Sequence, residues 1–246
     1  MPAERLRVVA LYPRVMNIYA DRGNLLFLQE RCRWRGIEFE LSSKEVGDPL
    51  DGDGHDIYYI GGGQDRDQRF CAEDLLETGR EALSEAAARD AVVLGVCGGY
   101  QLLGHSYALD GEQLEGVGLL DVQTVREDGP RLIGNVAIEA TLGESTMRLA
   151  GFENHGGRTR LGFAQRPLGK VLKGYGNDGD SGLEGAVSAN VIGTYLHGPL
   201  LPKNPRLADW LIATGLGIDE SDLAPLDDRF PQAAHADALR VAGVGG

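Results

Sequence analysis

The sequence predicts an α/β protein of three layers: a mostly parallel sheet flanked by helices, with an antiparallel extension. Three observations carry that expectation. Short apolar runs alternate with helical stretches over roughly the first hundred residues. Two of those runs stop on glycine clusters, at 61–63 and at 98–99. From about Gly116 to Tyr195 the pattern changes to short strands broken by glycine.

The elements follow in order. Residues 6–12 are apolar and β-branched, and Pro13 closes the run, which marks a central strand. After Asp21, Leu25, Leu26, Leu28 and Cys32 fall on or near one helical face up to a stop near Gly36, and residues 37–41 alternate like a half-buried strand. Residues 57–60 form a third strand, cut off by Gly61, Gly62 and Gly63, and a helix over 67–88 leads to a fourth strand at 91–96. Strands and helices in this alternation build parallel sheets that bind ligands outside the strands' carboxyl ends, where both glycine clusters fall. In the extension, strands are expected at 131–140, at 146–152 and in a hairpin over 174–187 around Asn177, Asp178 and Gly179. Residues 191–196 resume an apolar strand, and 206–214 form one more helix. The expected organisation is one domain over 1–215 and a tail or docked helix over 216–246.

Composition excludes several classes of function. With 246 residues, 42% hydrophobic and 25% charged, the chain has the make-up of a single large globular unit. A net charge of −13 argues against nucleic-acid binding, which needs cations to replace phosphate counterions. No apolar stretch is long enough to span a bilayer, and no signal-peptide core is evident, so a cytoplasmic protein is expected. Cys32, Cys71 and Cys97 are too scattered for a zinc site or redox pair, and no metal site is expected.

Cys97 carries the chemistry. The run from Ala91 to Gly104 reads as a buried strand breaking sharply into a helix, with the thiol at the corner. Gly95, Gly98 and Gly99 around it form the thiol version of a nucleophile elbow, where small neighbours permit a strained turn. The helix N-terminus behind the sulfur favours thiolate. Among the five histidines, His197 ends a buried strand and is followed by Gly198, which suits a general base. His155, between Asn154 and Gly156-Gly157, is the runner-up, its glycines suggesting a tight loop near a ligand or a neighbouring chain. His55 in a polar loop, His105 in a helix and His235 in the tail read as ordinary histidines.

Four segments together resemble the class I glutamine amidotransferases of the cobyric-acid-synthase-like branch. They are Ile60 to Asp65, Val96 to Gln101, Gly151 to Thr159 and Gly193 to Pro199, and the resemblance covers residues 5–215. It implies a flavodoxin-like fold and a glutaminase, with Cys97 as nucleophile on L-glutamine and His197 as proton carrier. The oxyanion donors would be backbone amides of Gly62 or Gly63 with Gly98. Arg131 aligns with a substrate-binding arginine that would clamp the α-carboxylate, and Gln101 would support the site. The position two residues after the histidine, glutamate in many relatives, is Pro199 here. The expectation is therefore a dyad, or an acid from elsewhere, such as Glu153 or, preferably, a partner subunit.

Amide synthesis from a carboxylate needs activation, usually by ATP, yet no phosphate loop is present: Gly162 and Gly169-Lys170 are misspaced, Val171 replaces the hydroxyl residue, and 61–63 lacks a lysine. ATP and Mg are thus expected on a partner ligase. The resemblance implies a MurT-like Mur ligase in a heterodimer that amidates the D-glutamate of lipid II in peptidoglycan synthesis. Rival readings are the same chemistry on a corrinoid precursor, a non-catalytic regulatory subunit, and a stand-alone cysteine hydrolase.

Overall fold

The computed structural model describes residues 5–18, 21–109 and 111–245. Its first half runs β1 (Arg5–Leu11), α1 (Arg22–Arg35), β2 (Glu38–Lys44), β3 (Ile57–Ile60), α2 (Asp65–Asp74), α3 (Arg80–Ala88), β4 (Val92–Val96) and α4 (Gly98–Leu103). The extension follows as β5 (Ser106–Leu109), β6 (Glu112–Glu115), β7 (Val122–Arg126), β8 (Leu132–Leu142), β9 (Ser145–His155), β10 (Gly157–Leu161), β11 (Gly169–Lys173) and β12 (Leu183–Glu184). The chain then returns through β13 (Ala186–Ser188) and β14 (Val191–Thr194) to α5 (Leu200–Lys203), α6 (Pro205–Leu216) and α7 (Arg229–Val241).

The central sheet has the order β13-β14-β4-β3-β1-β2. All its pairs are parallel except β13 on β14. Every residue of β3, β4 and β14 is buried, as in strands covered on both faces. The chain leaves β1 in one direction to form β2 and continues from β3 in the other. That reversal opens a crevice at the carboxyl edge, the usual ligand position in open sheets. The segments after β1, β3, β4 and β14 all end there.

The expected helix over 67–88 is α2 and α3 joined without a break by a π turn, Leu75–Gly79. The Thr78 hydroxyl bonds the Asp74 carbonyl at 2.9 Å within that turn. The Asp74 carboxylate is buried against Lys44 and accepts from the Tyr12 hydroxyl at 2.7 Å and the Gly47 amide at 2.6 Å.

The extension contains two four-stranded sheets, β10-β7-β5-β6 and β12-β11-β8-β9. All their pairs are antiparallel except β5 with β7. The expected hairpin over 174–187 is not formed. β11 pairs instead with β12 and encloses residues 174–182 as a loop. Asn177 is no exposed turn tip: it is buried, and its amide bonds both the N–H and the carbonyl of Gly185 at 2.9 Å.

The tail includes a docked helix. Arg31 on α1 has no exposed surface and sends paired bonds of 2.6 Å to Asp209 on α6 and paired bonds of 2.8 Å to Asp228, which precedes α7. Its guanidinium therefore ties three helices to one point. Among the described residues no helix is long and apolar enough to cross a membrane.

Candidate active site

β4 places Cys97 at the carboxyl edge, where the chain must reverse direction within one residue to start α4. Cys97 takes φ 53° and ψ −103°, a conformation that L-residues rarely adopt. Two bonds hold it there: its N–H to the Thr194 carbonyl at 2.8 Å, and its carbonyl to the Gln101 N–H at 3.1 Å. The strain thus sits on the cysteine itself. Its neighbouring glycines have ordinary φ and serve close approach instead. A Cβ on Gly99 would strike the carbonyl of Ile60, and one on Gly95 would lie 2.7 Å from the Gly99 carbonyl.

His197 stands three residues beyond β14, entirely buried. Its backbone is fixed from the extension: the Phe152 N–H bonds the His197 carbonyl at 3.1 Å, and the His197 N–H bonds the Phe152 carbonyl at 2.9 Å. Its ring meets the Cys97 thiol on one side and the Asp21 carboxylate on the other, with Nδ1 3.6 Å from Asp21 Oδ2. Burial by itself pulls the imidazole pKa down. The charge of Cys97 and the hydrogen bond and charge of Asp21 outweigh it, and the group is pushed up to about 10. The imidazole is therefore held in its protonated form between Cys97 and Asp21.

Asp21 did not emerge from the sequence. It immediately precedes α1, where it reads as a helix-start residue, but its side chain makes no capping bond. The signal that could have found it is its place in the segment after β1, the strand that pairs with β3. Glu153, the acid considered within the chain, faces elsewhere. It accepts the N–H groups of Tyr175 at 2.7 Å and Gly176 at 2.9 Å, and burial pushes it up to about 7.

The expected oxyanion donors divide. The Gly62 N–H is bound to Asp21 Oδ2 at 2.8 Å, which removes Gly62 from the set. The Gly63 N–H takes no partner among the described residues and lies 3.1 Å from where a Cβ on Gly98 would stand. The Gly98 N–H opens α4 and has no intrahelical acceptor. The Gly63 amide thus lies against the backbone of Gly98, the residue after Cys97.

Gln101 and His155 belong to a layer behind the thiol. Gln101 accepts from Gln68 at 2.7 Å and donates to the Tyr195 hydroxyl at 3.1 Å. His155 lies on the end of β9, not in a tight loop, and stacks on Tyr195 with centroids 3.6 Å apart. Its Nδ1 pairs with the Gly157 carbonyl at 2.9 Å, and burial, assisted by neighbouring cations, pushes it down to about 4, so it stays neutral. Arg131 is exposed just before β8, its Nε and Nη2 bonded to the side chain and carbonyl of Asn154 at 2.8 and 2.9 Å. His105 is not helical; it follows α4 and bonds Asp121 at 3.1 Å. His55 bonds Ser42, and His235 bonds the Lys203 carbonyl. Among the described residues no group of three or more His, Cys, Asp or Glu could hold a metal ion.

A thiol, an imidazole and a carboxylate in sequence are an arrangement suited to acyl transfer by a cysteine nucleophile. Residues 7–205 match the CobB/CobQ-like glutamine amidotransferase domain, and the chain belongs to that family. It is 38% identical over 213 residues to the lipid II isoglutaminyl synthase (glutamine-hydrolyzing) subunit GatD of Streptococcus pneumoniae, covering 86% of this chain and 81% of that one. It is 41% identical over 198 residues to the subunit of the same name from Staphylococcus aureus, covering 80% and 79%. A probable cobyric acid synthase of Methanothermobacter thermautotrophicus is 37% identical over 174 residues, 64% of this chain but 33% of that one. Among solved structures, PurLQS from Thermotoga maritima superposes with a TM-score of 0.54 at 19% identity, over 87% of this chain and 96% of that chain, which shows a shared fold.

Proposed function

We propose that this chain is the glutaminase subunit of an enzyme that amidates the D-glutamate of lipid II. The observation that carries the reading is the buried Cys97–His197 pair at the strand ends, in a chain about 40% identical to two GatD subunits. In this reading Cys97 Sγ attacks the side-chain carbonyl carbon of L-glutamine. The oxyanion formed is held by the N–H groups of Gly63 and Gly98. His197 gives its proton to the departing nitrogen, and ammonia leaves a thioester. His197 then takes a proton from water, which attacks the thioester; glutamate departs and the sulfur is restored. Arg131 holds the α-carboxylate from the rim, and Gln101 and His155 brace the elbow from behind.

Ammonia passes to an ATP-dependent partner, a MurT-like Mur ligase in a cytoplasmic heterodimer, which activates the acceptor carboxylate. The test is to purify the pair and supply either glutamine or ammonium. Cys97→Ala is expected to abolish amidation from glutamine and to leave amidation from ammonium intact. Loss of both in an intact complex overturns the division of labour.

A further inference from the structure

We infer that the Tyr195 hydroxyl is a positioning group for Cys97 and His197: it joins the two turns that carry them and ties both to the extension. The inference rests on the glutaminase reading and deepens it.

Tyr195 directly follows β14 and stands two residues before His197. Gln101 stands four residues after Cys97, one turn into α4, and its N–H holds the Cys97 carbonyl at 3.1 Å. The bond of 3.1 Å from Gln101 Nε2 to the Tyr195 hydroxyl therefore links the two turns just behind the reacting pair. Little else can fix α4 sideways. It is six residues long, opens on Gly98 and Gly99, and has Gln101 as its one side-chain amide.

Tyr195 is itself anchored to the rest of the fold. It has no exposed surface, its N–H donates to Glu184 at 2.6 Å, and its ring stacks on His155 and meets Tyr100 edge-on at 5.2 Å. Its hydroxyl lies 2.6 Å from Thr159 Oγ1 on β10, which lies 2.8 Å from Thr124 Oγ1 on β7. In the other direction, Gln68 on α2 donates to Gln101 Oε1 at 2.7 Å. One chain of buried hydrogen bonds thus runs from the helix after Gly61–Gly63, through the elbow helix and the histidine turn, into the sheet of the extension.

Phenylalanine would fill the same volume and stack on His155 equally well. What the oxygen adds is the linkage, and a buried hydroxyl is tolerated only where its partners offset its desolvation. An oxygen that accepts from Gln101 has its proton left for Thr159, and burial pushes the phenol up to about 12, so it keeps that proton. The hydroxyl therefore acts through the positions of the thiol and imidazole. Gly157 belongs to the same arrangement. A Cβ there would stand 3.0 Å from Gln101 Nε2 and 3.6 Å from the Tyr195 hydroxyl, so the second glycine after His155 keeps open the space the linkage occupies.

The test uses the complete complex with Tyr195→Phe, Gln101→Met, the double variant and wild type, with rates normalised to folded protein by circular dichroism. Tyr195→Phe keeps the ring and its stacking and removes only the oxygen. It is expected to lower kcat for glutamine hydrolysis by about 10- to 100-fold, as a displacement approaching 1 Å would, with KM within a few-fold and ammonium-driven amidation unchanged. Because both residues act through one bond, kcat of the double variant falls no further than that of the lower single variant; merely structural residues would multiply their losses. Tyr195→Phe with kcat within about threefold of wild type overturns the inference, as does a loss expressed in KM instead of kcat, or a double variant whose loss is the product of the single losses. Should Tyr195→Phe fail to fold, Thr159→Val decides from the other side of the hydroxyl: a lowered kcat at unchanged KM supports the linkage, and an unchanged kcat overturns it. Retention of glutamine-driven amidation by Cys97→Ala would instead overturn the underlying reading.

Discussion

Replacing Gly99 by alanine separates two explanations for the glycines of the elbow. If they were needed for backbone freedom, Gly99→Ala would be benign, since Gly99 has an ordinary φ and lies in the first turn of α4. Helix propensity alone would favour alanine by about 1 kcal/mol. The structure predicts the opposite, because the new methyl would strike the Ile60 carbonyl oxygen and lie 2.9 Å from Ile60 Cβ. Relief needs α4 to move about 1 Å from β3. Overpacking of this kind costs about 1–3 kcal/mol, which exceeds the propensity gain. The same displacement carries Cys97 and Gly98 away from Gly63, and a misplacement of that size costs on the order of 10²-fold in rate. Urea unfolding and glutamine hydrolysis measure the two effects. Gly134→Ala serves as the control, because a Cβ there meets nothing nearer than Tyr175 Cε2 at 3.9 Å. A Gly99→Ala protein with unchanged urea midpoint and kcat within twofold of wild type would refute the close-approach argument.

Two further outcomes concern stability. Arg31→Ala strands the Asp228 carboxylate and leaves Asp209 with its Arg35 pair beside a vacated guanidinium site, and a loss of about 3 kcal/mol is expected in urea unfolding. Limited proteolysis should then cut first around α7, and unchanged protection would contradict the clamp. Glu184 is pushed by burial up to about 8 while accepting the Tyr195 N–H, so between about pH 4.5 and 8 the folded protein retains a proton that the unfolded chain has released. Stability from this group is full below that window and declines as pH rises through it, by up to about 1.4 kcal/mol per unit. Glu184→Gln keeps an acceptor for Tyr195 and should flatten melting temperature against pH from 5 to 8; an equally steep profile would show that the dependence arises elsewhere.

The parallel core was readable because β3 and β4 are buried on both faces and therefore appear as unbroken apolar runs. Cys97 was readable because close approach had removed the side chains around it. The misread parts depend on contacts distant in sequence. Asn177 looks like a turn residue until Gly185 supplies its bonds, and His155 looks like a loop residue until β8 pairs alongside it. Asp21 resembles a helix start in every local respect. Only the neighbouring positions of β1 and β3, together with the return of the chain from β14, bring it to His197.

The pairing of Phe152 with His197 bears on how this enzyme can be cut or recombined. The strand-helix core carries Cys97, but the main chain of His197 is hydrogen-bonded to a hairpin that arises some forty residues earlier in the sequence. An excised core lacking that hairpin would retain its thiol and lose the register of His197. A chimera between relatives must accordingly exchange residues 145–155 and 191–199 as one cassette, since a mismatch between them would slide the imidazole along the sulfur while leaving every side chain of the site in place.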